Sequence, residues 1–86
     1  MNFDVSVLVR GVEGIADPEG RTVERALGAL GFAGASSVRV GKVINLCLSA
    51  DDTESARVEV EEMCDRLLAN PVIERYEITI VPTKTS

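Results

Sequence analysis

Four groups of side chains in this 86-residue chain are of types that could do chemistry. They are Cys47 and Cys64, the adjacent Asp51 and Asp52, the glycines at 11, 14 and 20, and the basic pair Arg39 and Lys42. The cysteines lack CxxC spacing and the chain has no histidine, so neither a zinc-ligand pattern nor a Cys–His couple is present. Both are expected to be buried, reduced thiols. Asp51 and Asp52 could hold a cation, but no further ligands follow at EF-hand spacing, and a helix cap is the expected role. The glycines do not form a strand–GxGxxG–helix unit, and no GxSxG or P-loop occurs. Without histidine the commonest general base near neutral pH is missing. No set of residues here could carry a reaction alone. Arg39 and Lys42 read either as a solvated edge pair or as a contact for a partner protein or an anionic ligand.

Both basic residues belong to Ser36–Leu48, the stretch that organises the rest. Val38, Val40, Ile44, Leu46 and Leu48 keep a period of two, broken only by Lys42, as in a strand with one buried face. A hairpin turning at Gly41-Lys42 is the alternative. It would place Asn45 on the face of Val38 and Val40, so one long central strand, kinked or bulged at Gly41, fits better. At ~3.3 Å per residue it spans on the order of 40 Å, and no other segment can pair with all of it. A second copy of the chain is the expected partner for its spare backbone groups.

The remaining elements follow from pattern. Phe3, Val5, Val7 and Val9 alternate with polar residues, apart from Leu8, in a first strand. Asp17-Pro18 reads as an N-cap and first helical residue, with Glu19 near the helix start. Gly20 would weaken that start. Val23, Ala26, Leu27 and Leu30 form the buried stripe, and Gly31 with Phe32 closes the helix. A second helix begins at Asp51, with Glu54 completing a capping box, and runs to about Ala69. It is expected to bury Ala56, Val60, Met63, Cys64, Leu67 and Leu68. Asn70-Pro71 ends it. Tyr76, Ile78 and Ile80 mark a final strand stopped by Pro82, and 83–86 is a frayed tail. Residues 1–82 thus form one α+β domain, a two-layer sandwich with both helices on one face of a small, mainly antiparallel sheet. A full break at Gly41 would make the order βαββαβ, ferredoxin-like in layout.

With 45% hydrophobic but only 3% aromatic residues, the core must be built from Val, Leu, Ile and Ala. A monomer of this length is marginal, burying only about 60–65% of its unfolded surface. The net charge of −5 argues against sequence-independent nucleic-acid binding, which needs a basic face. Acidity concentrates at 51–65, where seven carboxylates face only Arg57, as on a solvated helix face or a dock for a basic partner. Met1-Asn2-Phe3-Asp4 lacks the basic start and apolar segment of a signal peptide, and no run approaches the ~18 apolar residues of a membrane span. A cytoplasmic protein is expected.

Three segments taken together resemble a known family. They are Asp17-Pro18-x-Gly20-x-x-Val23-x-x-Ala26-Leu27, then Val38-Arg39-Val40-Gly41-Lys42, then Met63-Cys64-x-x-Leu67-Leu68-Ala69-Asn70-x-Val72-Ile73-Glu74-x-Tyr76. In this order and spacing they are similar to PurS, the small subunit of phosphoribosylformylglycinamidine (FGAM) synthase. The resemblance covers residues 3 to about 80. It implies an accessory subunit, without an active site of its own, in an enzyme that makes FGAM from formylglycinamide ribonucleotide, ATP and glutamine. It implies a homodimer, with a tetramer as the alternative assembly, that brings together the synthetase subunit PurL and the glutaminase subunit PurQ. ATP and Mg are expected on the synthetase and no cofactor in this chain. Arg39 and Lys42 are the candidate partner contacts. Gly28, inside the first helix, implies a looser helix end or close approach of a partner. Cys64 falls in a family segment, but its helical setting predicts an unactivated thiol rather than an amidotransferase nucleophile. A small dimeric ligand-sensing domain is the competing reading, on fold analogy alone.

Overall fold

The computed structural model describes residues 1–83; of the expected tail, residues 84–86 lie outside the described part. The chain is α+β: β1 (Asn2–Gly11), α1 (Pro18–Ala29), β2 (Lys42–Ser49), α2 (Thr53–Met63) and β3 (Glu74–Pro82), with a π-helical turn, Cys64–Leu68, continuing α2. The strands form one antiparallel sheet in the order β2-β1-β3. Its register turns the alternation into rows. Val5 stands between Leu46 and Ile80, and Val7 stands between Ile44 and Ile78. These rows share one face, because residues two apart point the same way. On that face Phe3, Val5, Val7 and Val9 are buried, and Ala56, Val60 and Cys64 of the α2 segment close over them. The spacing of four among the last three is one stripe of a helix.

Both helices start at aspartate caps. Asp17 accepts the Gly20 N–H at 2.9 Å, with Pro18 at the first helical position. Asp52, not Asp51, caps α2 by accepting the Ser55 N–H at 2.7 Å. The shift by one residue has a local cause: Asp52 is extended (φ −154°, ψ 176°), as a cap must be. Gly31 ends α1 as expected. Phe32 N–H reaches back to Leu27 O and Gly31 N–H to Gly28 O, which is the Schellman pattern. Leu67 was expected in the core but is 83% exposed. The wider π turn carries Leu67 off the inward stripe.

The long strand is shorter than its alternation predicts, and it is not central. β2 begins only at Lys42 and lies at a sheet edge, with β1 in the middle. Ser37 takes a left-handed backbone (φ 56°), and the backbone N–H groups of Val38 and Val40 are taken by carboxylates of Glu24 and Asp17, at 3.0 and 2.9 Å. Residues 38–41 therefore lead into β2 as an arm outside the strand, bonded to α1. There is no hairpin at Gly41. A Cβ there would come within 2.6 Å of Val9 O, so glycine lets the segment pass close to β1. The same need explains Gly20, where a Cβ would lie 2.5 Å from Val38 O. That helix-weakening glycine sits where the segment crosses α1.

The expectation that both helices cover the sheet holds for α2 alone. Extensive packing links the strands to one another and α2 to β3, while α1 has no comparable packing against the sheet. Of the expected α1 stripe, Val23, Ala26 and Leu30 are exposed and Leu27 is half-buried. The molecule is accordingly drawn out, 50 × 34 × 15 Å, with a radius of gyration of 16.7 Å, against about 12 Å for a compact chain of this length. It exposes 6307 Å², where about 4,900 Å² is usual for its mass.

Candidate functional site

Three surfaces stand out. The first is the joint between α1, the end of β1 and the 38–41 segment. Arg39 is turned into it: Nη2 donates to the carbonyls of Gly11 and Val12 at 3.1 and 3.2 Å, and Nε lies 3.6 Å from Asp17 Oδ2. Asp17 accepts from both Gly20 and Val40. Hydrogen bonds from the Val40 and Gly20 amides, with the Arg39 charge beside them, hold its carboxyl below the usual carboxylate range. The N–H of Val12 also bonds Ile73 O at 2.9 Å, tying the joint to the start of β3. Lys42 sits three residues on, exposed and without an ion-pair partner among the described residues. Of the two basic residues singled out in the sequence, one is engaged within its own chain and one is free.

The second surface is an apolar groove of about 400 Å³ between β2 and the α2 segment. Leu46, Met63, Leu67 and Leu68 line it, and Glu59, Glu62 and Arg66 rim it. Arg66 and Glu62 pair at 3.0 Å. The groove exists because α2 lies towards β3, leaving the β2 side of the apolar face only half-covered. Sequence reasoning missed it. Its signal was present in an apolar α1 stripe, an apolar β2 and no proof that one covers the other.

The third surface is the helix-free face of the sheet, with a recess of about 370 Å³ where Asp4, Ser6, Asn45, Cys47 and Thr79 meet. Cys47 is exposed here rather than buried as expected, because it alternates out of phase with Leu46 and Leu48. Its thiol points to Asp4 Oδ1 at 3.4 Å, and the hydrogen bond to that carboxylate and its charge push the thiol pKa up. Burial does the same to Cys64, helped by the charges of Asp65 and Glu61. Both thiols are thus held in the less nucleophilic form. Among the described residues no three His, Cys, Asp or Glu side chains gather as a metal site, and no described helix is long and apolar enough to cross a membrane.

An incompletely covered apolar face, an amphipathic helix with its stripe exposed and a hydrogen-bonded joint between them define a small α+β module with apolar surface left open. The family profile of PurS, phosphoribosylformylglycinamidine (FGAM) synthase, matches residues 4–82. The PurS subunit of Methanocaldococcus jannaschii is 42% identical over 78 residues, spanning 91% of this chain and 94% of the relative. That of Archaeoglobus fulgidus is 47% identical over 66 residues, 77% of this chain and 82% of the relative. In three dimensions the crystal structure of M. jannaschii PurS, described as one of the subunits of formylglycinamide ribonucleotide amidotransferase in the purine biosynthetic pathway, superposes with a TM-score of 0.85 at 40% identity, covering 95% of this chain and 99% of that one. A chain from the structure of PurLQS of Thermotoga maritima gives 0.86 at 33% identity, covering 94% and 99%. This chain belongs to the PurS family.

Proposed function

We propose that the chain is the accessory subunit of an FGAM synthase, acting in purine biosynthesis as a cytoplasmic homodimer that holds synthetase and glutaminase subunits together. Family membership over nearly the whole chain carries this reading, and the likeness to a chain of the T. maritima PurLQS assembly supports it. The physical role is positional. A subunit that fixes the distance between ammonia release and ammonia use limits loss to solvent, since proximity turns a bimolecular step into an effectively intramolecular one. ATP and magnesium belong to the synthetase in this reading, and no cofactor to this chain. Self-association is supported by the surface left open on the isolated chain. Lys42, exposed and unpaired among the described residues, is the candidate contact for a partner. Arg39 serves such a contact through the joint it holds.

The test is FGAM formation by synthetase and glutaminase subunits from the same source, with and without this chain. Glutamine-dependent activity that appears only on adding the chain supports the assembly role. Full activity without it, and no co-migration on a sizing column, overturns it.

A further inference from the structure

Helix α1 has a second face. Arg21, Arg25 and Gly28 repeat the spacing of Val23, Leu27 and Leu30 two residues earlier, and two residues turn a helix by about 200°. The arginines therefore stand opposite the apolar stripe, and whatever covers the stripe leaves them open. Both are exposed, and neither has an ion-pair partner among the described residues. Like charges four residues apart on a helix repel each other, so the placing calls for a compensating acid. The helix start offers two and uses both elsewhere. Asp17, four residues before Arg21, accepts from the Val40 and Gly20 amides and lies 3.6 Å from Arg39 Nε. Glu24, beside Arg25, accepts the Val38 N–H at 3.0 Å. The joint that fixes α1 thus takes up the local carboxylates and leaves two guanidinium forks unmatched.

We infer that this face docks an acidic segment, carrying two carboxylates, of a subunit with which the chain assembles. The inference rests on the assembly reading and names the surface and the chemistry that it recognises. Arg21 and Arg25 border a recess of about 260 Å³, walled by Ala16, Pro18 and Thr22 beside the engaged Asp17. Their Cβ atoms, one helical turn apart, are separated by roughly 5–6 Å, as are those of two carboxylates one turn apart on an acidic helix. A guanidinium fork takes a carboxylate through two parallel hydrogen bonds. Beyond the recess the face runs on to Gly28, where a Cβ would meet open space. A partner's backbone can come close there. That flat stretch selects a polypeptide as the occupant, because a small anion would engage the forks alone.

The test measures binding of the full chain to the synthetase and glutaminase subunits from the same source, at low and high salt. Arg21→Gln combined with Arg25→Gln removes both charges and keeps residues that favour a helix. Gly28→Gln strengthens the helix and fills the flat end of the face. Neither variant should lower the melting temperature or change the sedimentation of the isolated chain. The double variant is expected to weaken the complex at least about tenfold at low salt and to flatten its salt dependence. Gly28→Gln should weaken the complex at low and high salt alike, although its fold is firmer. Parental affinity of either variant at low salt overturns the docking and leaves assembly in place. A parent chain that binds neither subunit overturns the assembly reading, and the docking with it. If the double variant instead changes the sedimentation of the isolated chain, the acidic occupant is a second copy and the inference fails.

Discussion

Asp17 and Val40 are joined by one hydrogen bond, Val40 N–H to Asp17 Oδ2 at 2.9 Å, while the other carboxylate oxygen of Asp17 caps α1 through Gly20 N–H at the same distance. A single side chain thus starts the helix and fixes the segment that leads into β2. Asp17→Ala removes both functions. Amide exchange at Gly20 and Val40 is expected to speed up on the order of tenfold, with the β1 amides of Val5 and Val7 unchanged, since the joint opens locally. Equal acceleration across the sheet would contradict this.

Asp17 and Asp52 also set an acid limb of stability. In the folded chain both carboxyls are held below the usual carboxylate range, Asp17 chiefly by the Val40 amide and Asp52 chiefly by that of Ser55. A depressed folded pKa means that the unfolded chain takes up protons first as pH falls. The stabilisation is therefore complete above the unfolded value and is lost as pH drops towards and through the folded one. A melting temperature flat from pH 7 to about 5 and falling below 4 is expected. Asp17→Asn combined with Asp52→Asn should flatten that fall, and a slope identical to the parent's would rule these two groups out as its source.

Two glycines of α1 separate propensity from packing. Gly28 has open space where a Cβ would go, so Gly28→Ala should stabilise the chain by about 0.5–1 kcal/mol. Gly20→Ala gains the same propensity but drives a Cβ to within 2.5 Å of the Val38 carbonyl and 2.6 Å of Asp17 Oδ2. It should destabilise the chain and release the arm. Urea denaturation of the pair gives the answer by the opposite signs of the midpoint shifts.

Val58 and Val60 make a matched pair on α2. Val60 is fully buried over β1, whereas Val58 is 59% exposed. Val60→Ala should cost about 2 kcal/mol, from lost transfer energy plus a cavity. Val58→Ala should stay within about 0.5 kcal/mol. Comparable losses at both positions would mean that the outer face of α2 is covered too.

What could be read in advance divides along the range of the interactions. The strands were legible because Phe3, Val5, Val7 and Val9, and later Tyr76, Ile78 and Ile80, repeat within a few residues. The α1 caps were legible because Asp17-Pro18 and Gly31-Phe32 act on their own helix. The division fails where a side chain meets backbone far along the chain. Glu24 and Asp17 take the amides of Val38 and Val40, so an alternating stretch that reads as strand becomes an unpaired arm. An amphipathic stripe declares that something covers it without saying what. The stripe of α1 therefore looked like a core helix of its own sheet, and the role of Arg39 as a brace for Gly11 and Val12 had no local signature at all.

Lys42 offers the sharpest probe of partner contact. It opens β2 opposite Val9, at the place where the apolar row of Ile44, Leu46 and Leu48 gives way to charge. It is exposed, with no ion pair among the described residues, so a charge reversal there removes nothing that holds the fold together. Lys42→Glu should leave the melting temperature within about 4 °C of the parent, as an exposed change within about 0.5 kcal/mol does. If Lys42 meets an acidic partner surface, the same change should weaken the reconstituted synthase several-fold. The loss should be steeper at low ionic strength, where charges at a solvated rim act over longer distances. Arg39→Glu is the contrasting variant: it breaks the brace to Gly11 and Val12 and places a carboxylate beside Asp17, so stability and assembly should fall together. Complex formation by Lys42→Glu with parental affinity at both low and high salt would remove Lys42 from the interface.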